Sequence, residues 1–235
     1  MKALDPEPLR RIVAAALDED LGRRGDITTD AVIPAGARAE GCLVARTELV
    51  LAGLPVARAV FHSLDDSARF EEHRRDGERV AAGTRVATVR GAAGPILKGE
   101  RTALNFLMRM SGIATVARAA VEEIAGTGAR ILDTRKTAPG LRLLDKYAVA
   151  AGGAQNHRIG LHDAAMIKDT HLAVAKSIGE AVAAVLATGH ARENVTVEVG
   201  TLDQLEQAVA AGAGRALLDN MDLETMRRAV RLAGG

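Results

Sequence analysis

Beyond residue 128 the chain adopts a rhythm that few folds accommodate: short apolar runs stop abruptly in polar residues, and a helical pattern follows most of them. The run 129–132 leads into Asp133-Thr134-Arg135-Lys136, and 164–167 leads into Lys168-Asp169. Val195–Val199 encloses Glu198, and 216–218 ends in Asp219-Asn220. Helices fit 175–188, 202–211 and 223–232, with Thr201 as an N-cap and Gln204 completing a capping-box pattern. Strands alternating with helices predict a parallel sheet or barrel. In such folds the site lies at the carboxyl ends of the strands, so the residues that end these runs are the ones to examine.

The preceding region is patterned differently. Leu9, Ile12, Val13, Ala16 and Leu17 mark a helix that starts near Pro8, and a polar loop is expected over 19–29. From about 38 to 100 the chain reads as an α+β unit. Its β-like stretches are 40–45, 49–52 and 85–89, with a helix at 54–63. A stronger helix begins near Gly99, with Leu104, Leu107, Met108 and Ile113 on one face, and 115–124 continues or restarts it.

Composition closes off several function classes. A net charge of +1, with three Phe, one Tyr and no Trp, offers neither the field nor the stacking platforms of a nucleic-acid binder. No apolar stretch reaches the roughly 20 residues of a membrane span, so a soluble protein is expected. The N-terminal segment MKALDPEPLRRIV has no apolar signal core. The single Cys42, read as a small core residue, excludes an intramolecular disulfide, and a reducing, cytoplasmic setting follows.

The strand ends carry cations at Arg135, Lys136, Arg158 and Lys168, with His157 beside Arg158, and anions at Glu198 and Asp219. Arg101 opens the strong helix. Taken singly, each also reads as a solvated loop charge or an ordinary ion pair. Together they suit a ligand bearing several carboxylates or phosphates, which Arg grips bidentately and Lys holds as a point charge. Of 31 basic residues only six are Lys, so Lys136 and Lys168 stand out in a chain that otherwise uses Arg.

These stretches resemble the quinolinate phosphoribosyltransferase family. The resemblance is carried by Glu19-Asp20 through Gly25-Asp26-Ile27-Thr28, by Glu100-Arg101-Thr102-Ala103-Leu104-Asn105-Phe106 and by Ser111-Gly112-Ile113-Ala114-Thr115. It continues through Asp133-Thr134-Arg135-Lys136-Thr137-Ala138-Pro139-Gly140-Leu141-Arg142, Lys146-Tyr147-Ala148-Val149, Gly152-Gly153 and Asn156-His157-Arg158. Lys168-Asp169-Thr170-His171 and Leu218-Asp219-Asn220-Met221 complete the series.

The resemblance implies an α/β fold, with an N-terminal α/β sandwich domain over 1–112 and an open or incomplete, TIM-like α/β barrel over 113–235. It implies a carboxylating nicotinate-nucleotide pyrophosphorylase of NAD biosynthesis, which transfers phosphoribosyl from phosphoribosyl pyrophosphate (PRPP) to quinolinate. It places Arg101, Arg135, His157, Arg158 and Lys168 around the quinolinate carboxylates, with Arg101 supplied across the interface of a homodimer or larger homo-oligomer. Lys136, Glu198 and Asp219 fall on the PRPP side as catalytic positions. Glu198 and Asp219 are also the candidate ligands of Mg2+, and no organic cofactor is implied.

Of the remaining residues, Gly140, Gly152 and Gly153 read as serving backbone geometry, and His62, His73, His162 and His190 as surface or structural. Tyr147 reads equally as core or as a hydrogen-bonding group near the site. His171 either fixes the loop after Lys168 or takes part in catalysis.

Three departures from the family pattern matter. Thr170 stands where Asn is usual, and Thr196 replaces a commonly acidic residue. The chain also stops at Gly234-Gly235, where relatives continue through further barrel strands, so an apolar sheet edge is expected at 216–218. Two rivals remain: a molybdenum-transport-associated relative of the same architecture, and a truncated, non-catalytic anion-binding homologue. The first departs in the Asp-Thr-Arg-Lys-Thr and Asn-His-Arg segments that this chain retains.

Overall fold

Asp5 opens the first helix, α1 (Pro6–Leu21): its carboxylate accepts the Glu7 amide at 3.1 Å, and proline stands in the first turn, where a missing N–H is harmless. Leu9, Val13 and Leu17 form its buried face. The structure is a computed structural model and describes residues 3–234. The polar loop expected over 19–29 is mostly helical. α1 runs to Leu21, and Asp26 caps α2 (Ile27–Val32) by accepting the Thr28 and Thr29 amides at 3.0 and 2.9 Å and the Thr29 hydroxyl. Two orphan N–H groups satisfied by one carboxylate outweigh the modest helix propensity of Ile-Thr-Thr.

β1 (Arg38–Val44), β2 (Leu49–Val50), α3 (Leu54–Leu64), β3 (Arg69–Glu72), β4 (Arg79–Val80) and β5 (Arg85–Ala92) follow. β5 pairs antiparallel with β1 on one side and β3 on the other, while β2 and β4 form a separate antiparallel pair. The two-residue period of β1 puts Cys42 on the exposed face with Arg38 and Glu40, so it is not the core residue expected.

α4 (Ala93–Glu123) begins before Gly99 and continues unbroken for 31 residues, about 46 Å. It buries Ile96, Ala103, Phe106, Leu107, Met110 and Ala114. The hydroxyls of Ser111 and Thr115 accept the amides of Ala52 (3.1 Å) and Val50 (2.9 Å), so the helix satisfies backbone donors at and just beyond β2. α5 (Arg142–Ala151) packs Leu144, Tyr147, Ala148 and Ala151 into the same core. The strand expected at 129–132 shrinks to one parallel bridge, Leu132 to Gln155. The chain leaves that register at once, because Asp133 turns its carboxylate inward to Lys146.

β6 (Ala165–Ile167), α6 (Asp169–Leu172), α7 (Ile178–Ala187), β7 (Val195–Val199), α8 (Leu202–Ala210), β8 (Arg215–Leu218) and α9 (Leu223–Ala233) form the alternating region. The three strands make a parallel sheet in the order β6-β7-β8. β7, the central strand, buries Val195, Val197 and Val199, and Thr196 is buried as well, as a strand covered on both faces requires. Ser177, Thr201 and Asp222 cap α7, α8 and α9. The capping box at Thr201 is shifted: Gln204 reaches the Gly200 amide (2.7 Å), one residue before the cap. Among the described strands β8 is an edge, with Leu217 37% exposed.

Packing divides the chain into two compact units, Met1–His157 and Arg158–Gly235, each with its own apolar core. The first is built on antiparallel sheets and the second on the parallel sheet, a mixed α/β architecture. No described helix is long and apolar enough to cross a membrane.

Candidate active site

In the first unit the expected site residues Arg135, Lys136 and His157 stand on two segments joined by a buried ion pair. Lys146, on α5, donates from Nζ to Asp133 Oδ1 at 2.6 Å, and the two side chains are 4% and 6% exposed. The same ammonium donates to the His157 carbonyl at 3.1 Å, and the His157 amide donates to Asp133 Oδ1 at 2.7 Å. The Asn156 amide nitrogen, in the orientation this network dictates, donates to Asp133 Oδ2 and the Lys146 carbonyl, both at 2.9 Å. The segment carrying Arg135 and Lys136 is thereby tied to the segment carrying His157.

A second anchor lies further along the first segment. Asp145 receives a bidentate grip from Arg109 (2.9 and 2.8 Å) and accepts the Ala138 amide at 3.1 Å. The carboxylate in turn raises the pKa of the Arg109 guanidinium, chiefly through this hydrogen bonding. Arg142 donates to Thr137 Oγ1 (3.1 Å) and the Arg135 carbonyl (3.3 Å). Arg135 itself is half-buried, and its Nε has no hydrogen-bond partner among the described residues. An orphaned, shielded guanidinium N–H favours an anionic partner. Lys136 is exposed, with its backbone turned by a bond from its amide to Thr134 Oγ1 (3.0 Å).

In the second unit the parallel register gathers the expected residues. Met166 lies opposite Thr196, and Glu198 opposite Leu217, so Lys168, Glu198 and Asp219 stand at the carboxyl ends of three adjacent strands. All three are half-buried and make no ion pair among the described residues. His171 Nδ1 accepts the Lys168 amide (3.0 Å), fixing the loop after the strand. Thr170 is exposed at the start of α6, and Thr196 is buried on β7. Asn220, at φ 52°, turns the chain after β8 and donates to Asp219 Oδ2 (2.9 Å). Arg158 opens this unit and donates to the Ala164 carbonyl (2.9 Å).

Arg101 belongs to neither set. It is exposed on α4, on a face that also presents Leu97, Met108 and Val116 at 41, 58 and 72% exposure. Among the described residues no group of three His, Cys, Asp or Glu side chains could hold a metal by itself.

The bystanders are resolved. Tyr147 is buried and donates to Asp76 Oδ2 (2.9 Å), and its pKa is raised by burial and by that carboxylate. Asp76 also accepts the Gly53 and Leu54 amides at the start of α3 (2.8 and 3.2 Å). His62 and His73 bond to Ala68 O and Thr88 Oγ1 (3.1 and 2.8 Å), structural roles as expected. Gly140 and Gly153 take positive φ, whereas Gly152 has ordinary φ and permits close packing. The residues missed from sequence are the anchors Asp133, Lys146, Asp145 and Arg109. One signal was available: Asp145 and Lys146 stand as adjacent charges within the apolar run of α5, and Lys146 is one of only six lysines.

The fold is that of a mixed α/β protein whose second unit presents Lys168, Glu198 and Asp219 at the ends of adjacent parallel strands. The N-terminal domain description of quinolinate phosphoribosyl transferase matches residues 26–111, and its C-terminal domain description matches 113–234. The chain is 44% identical over 216 residues to the probable nicotinate-nucleotide pyrophosphorylase (carboxylating) of Synechocystis sp., covering 92% of this chain and 72% of that one. Identity to the corresponding probable enzyme of Bacillus subtilis is 41% over 225 residues, covering 95% and 77%. The crystal structure of NadC from Streptococcus pyogenes superposes with a TM-score of 0.93 at 39% identity, covering 100% of this chain and 83% of that one. The chain belongs to the quinolinate phosphoribosyltransferase family.

Proposed function

We propose that the chain transfers phosphoribosyl from PRPP to quinolinate with loss of carbon dioxide, giving nicotinate mononucleotide and pyrophosphate. The observation that carries this is the alignment of Lys168, Glu198 and Asp219 at the ends of three adjacent parallel strands. Supporting it, Arg135 offers a shielded, unpartnered guanidinium N–H. Arg101, Arg135, His157, Arg158 and Lys168 grip the two quinolinate carboxylates. Lys136 faces the pyrophosphate, and Glu198 and Asp219 face the ribose hydroxyls.

The pyridine nitrogen attacks the anomeric carbon as the carbon–oxygen bond to pyrophosphate breaks, the electron pair leaving with pyrophosphate. The cations hold two polyanions together against their repulsion, and Lys136 stabilises the leaving charge. Ribosylation leaves the ring nitrogen positive. The bond from ring carbon 2 to its carboxylate then breaks, carbon dioxide departs, and the electron pair left on the ring takes a proton. The protein's share is orientation and electrostatics.

Glu198 and Asp219 fit magnesium, which uses one or two carboxylates together with substrate phosphates and water rather than an all-protein cage. When bound with PRPP the ion neutralises phosphate charge.

A homodimer, or a larger homo-oligomer containing it, belongs to this reading. Leu97, Arg101, Met108 and Val116 fall within roughly a 100° arc of α4, an apolar face around the arginine expected to serve the partner's site. The sandwich-and-open-barrel architecture over 1–112 and 113–235 is supported by α3 and α4 packed on the antiparallel strands, by the parallel sheet, and by the join of the two family matches at 111 and 113. A cytoplasmic setting accords with the free thiol of Cys42.

Purified chain, quinolinate, PRPP and magnesium should yield nicotinate mononucleotide by absorbance, and Arg135→Ala should abolish it. Quinolinate binding without turnover would favour a non-catalytic anion binder, and the absence of both binding and turnover would overturn the proposal.

A further inference from the structure

Burying an ion pair is a costly way to hold a fold together. Each ion loses several kcal/mol of hydration, and a well-packed apolar pair of similar volume often does as well or better. The Asp133–Lys146 pair therefore asks for an explanation beyond stability, and its hydrogen bonds supply one. Apart from the bond between the two charges, the partners of the pair lie on the Asn156-His157 segment: the His157 amide and carbonyl and the Asn156 side chain. Asp133 stands two residues before Arg135, and Lys146 is carried on the rigid α5. The pair thus bolts one cation-bearing segment to another through the His157 backbone amide and carbonyl, with the Asn156 side chain adding two further bonds. Asp145 secures the far end of the first segment through the Ala138 amide.

We propose that Asp133 and Lys146 are a positioning pair for phosphoribosyl transfer, setting the placement of Arg135, Lys136 and His157 while touching no substrate themselves. The proposal rests on the function given above. Lys146 is one more cation near an anion site by composition, but its ammonium is committed to Asp133 and His157. Its charge is spent on geometry.

The test compares wild type with Lys146→Met, Asp133→Asn and the double variant, reading thermal unfolding, quinolinate affinity by calorimetry, and kcat and KM for both substrates. Each single variant leaves a buried group without its partner and should unfold at lower temperature. The double variant leaves no unpaired charge and should recover most of the unfolding temperature. Its quinolinate affinity and kcat should nevertheless stay about 10- to 100-fold below wild type, the penalty of small misplacements at a polar site. A double variant with wild-type stability, affinity and kcat would overturn the proposal, since a purely structural pair predicts recovery of all three.

If the double variant fails to fold, Asn156→Ala decides, because it removes two hydrogen bonds to the pair from an exposed position without burying a charge. It should raise the KM for quinolinate at an almost unchanged unfolding temperature, and an unchanged KM would overturn the proposal. Failure of the underlying reading is distinguishable, because it appears in the wild-type arm as absence of turnover and overturns both.

Discussion

Gly152 is the point at which α5 is pinned to α4, and replacing it by alanine tests the packing that supports the site. Its φ of −68° is ordinary, so an alanine there meets no backbone strain. Space is the obstacle. A Cβ would lie 2.5 Å from the Ala114 carbonyl oxygen, 2.6 Å from Ala117 Cβ and 3.1 Å from the Arg118 amide nitrogen. Non-bonded carbon atoms settle at about 3.5–4.0 Å, so the end of α5 must retreat by roughly 1 Å. All three obstacles belong to the rigid body of α4, and none can rotate aside. The retreat also stretches the bond from Arg118 Nε to the Gly152 carbonyl, now 2.7 Å.

Overpacking costs about 1–3 kcal/mol, and a weakened hydrogen bond to a charged group adds about 1 kcal/mol. Gly152→Ala should therefore destabilise the first unit by about 3 kcal/mol, a fall of roughly 6–12 °C in its unfolding temperature. Circular dichroism melts and urea titrations measure this. The KM for quinolinate should rise too, because Lys146 rides on the displaced helix. Gly128→Ala is the control: its Cβ meets nothing within 4 Å, and stability should stay within about 0.5 kcal/mol. A Gly152→Ala chain melting within a degree of wild type would refute the packing reasoning.

Other perturbations follow from the same structure. Burial holds the Asp76 carboxyl above its ordinary 3.8, so between that value and its folded-state pKa the unfolded chain binds fewer protons. Stability from this group must then fall as pH rises through that window, and Asp76→Asn should remove the slope in urea titrations across the acid range. Thr201→Ala deletes the acceptor for the Gln204 amide and should cost about 1 kcal/mol in the second unit, read by urea unfolding. Met108→Asp puts a charge on the exposed face of α4 and should shift the chain to monomer in analytical ultracentrifugation, with loss of turnover. Arg101→Ala and Lys168→Ala chains, each inactive, should regain activity when refolded together. If Arg101 serves the partner's site, random pairing leaves about a quarter of sites intact; no recovery would place Arg101 in its own chain's site or outside any site.

The periodic elements were the legible part of the fold. β7 occupies the residues expected of it, and α8 and α9 lie within a residue of theirs, because uninterrupted apolar spacing and side-chain caps are local signals. Three features did not show in apolar spacing. The helix at Ile27–Val32 depends on one capping carboxylate rather than on propensity, so its polar neighbourhood read as a loop. The strand at 129–132 is cut short by the inward turn of Asp133, which only the position of Lys146 explains. Cys42 read as core by residue type, whereas the alternation of β1 turns it outward.

For the site, charges at the ends of apolar runs could be listed from sequence, and the register of β6, β7 and β8 gathers three of them. What sequence did not yield was which charges face a ligand and which hold the scaffold. Lys136 and Lys146 look alike as lysines; burial separates them, one exposed and one nearly sealed against Asp133.

The most direct measurement of the central claim follows the carbon that must leave. Quinolinate labelled with carbon-13 in the 2-carboxylate, supplied with PRPP and magnesium, should release one labelled carbon dioxide for each nicotinate mononucleotide formed, and none when PRPP is omitted. Retention of the label, or its release without PRPP, would contradict the assignment of a ribosylation that drives decarboxylation.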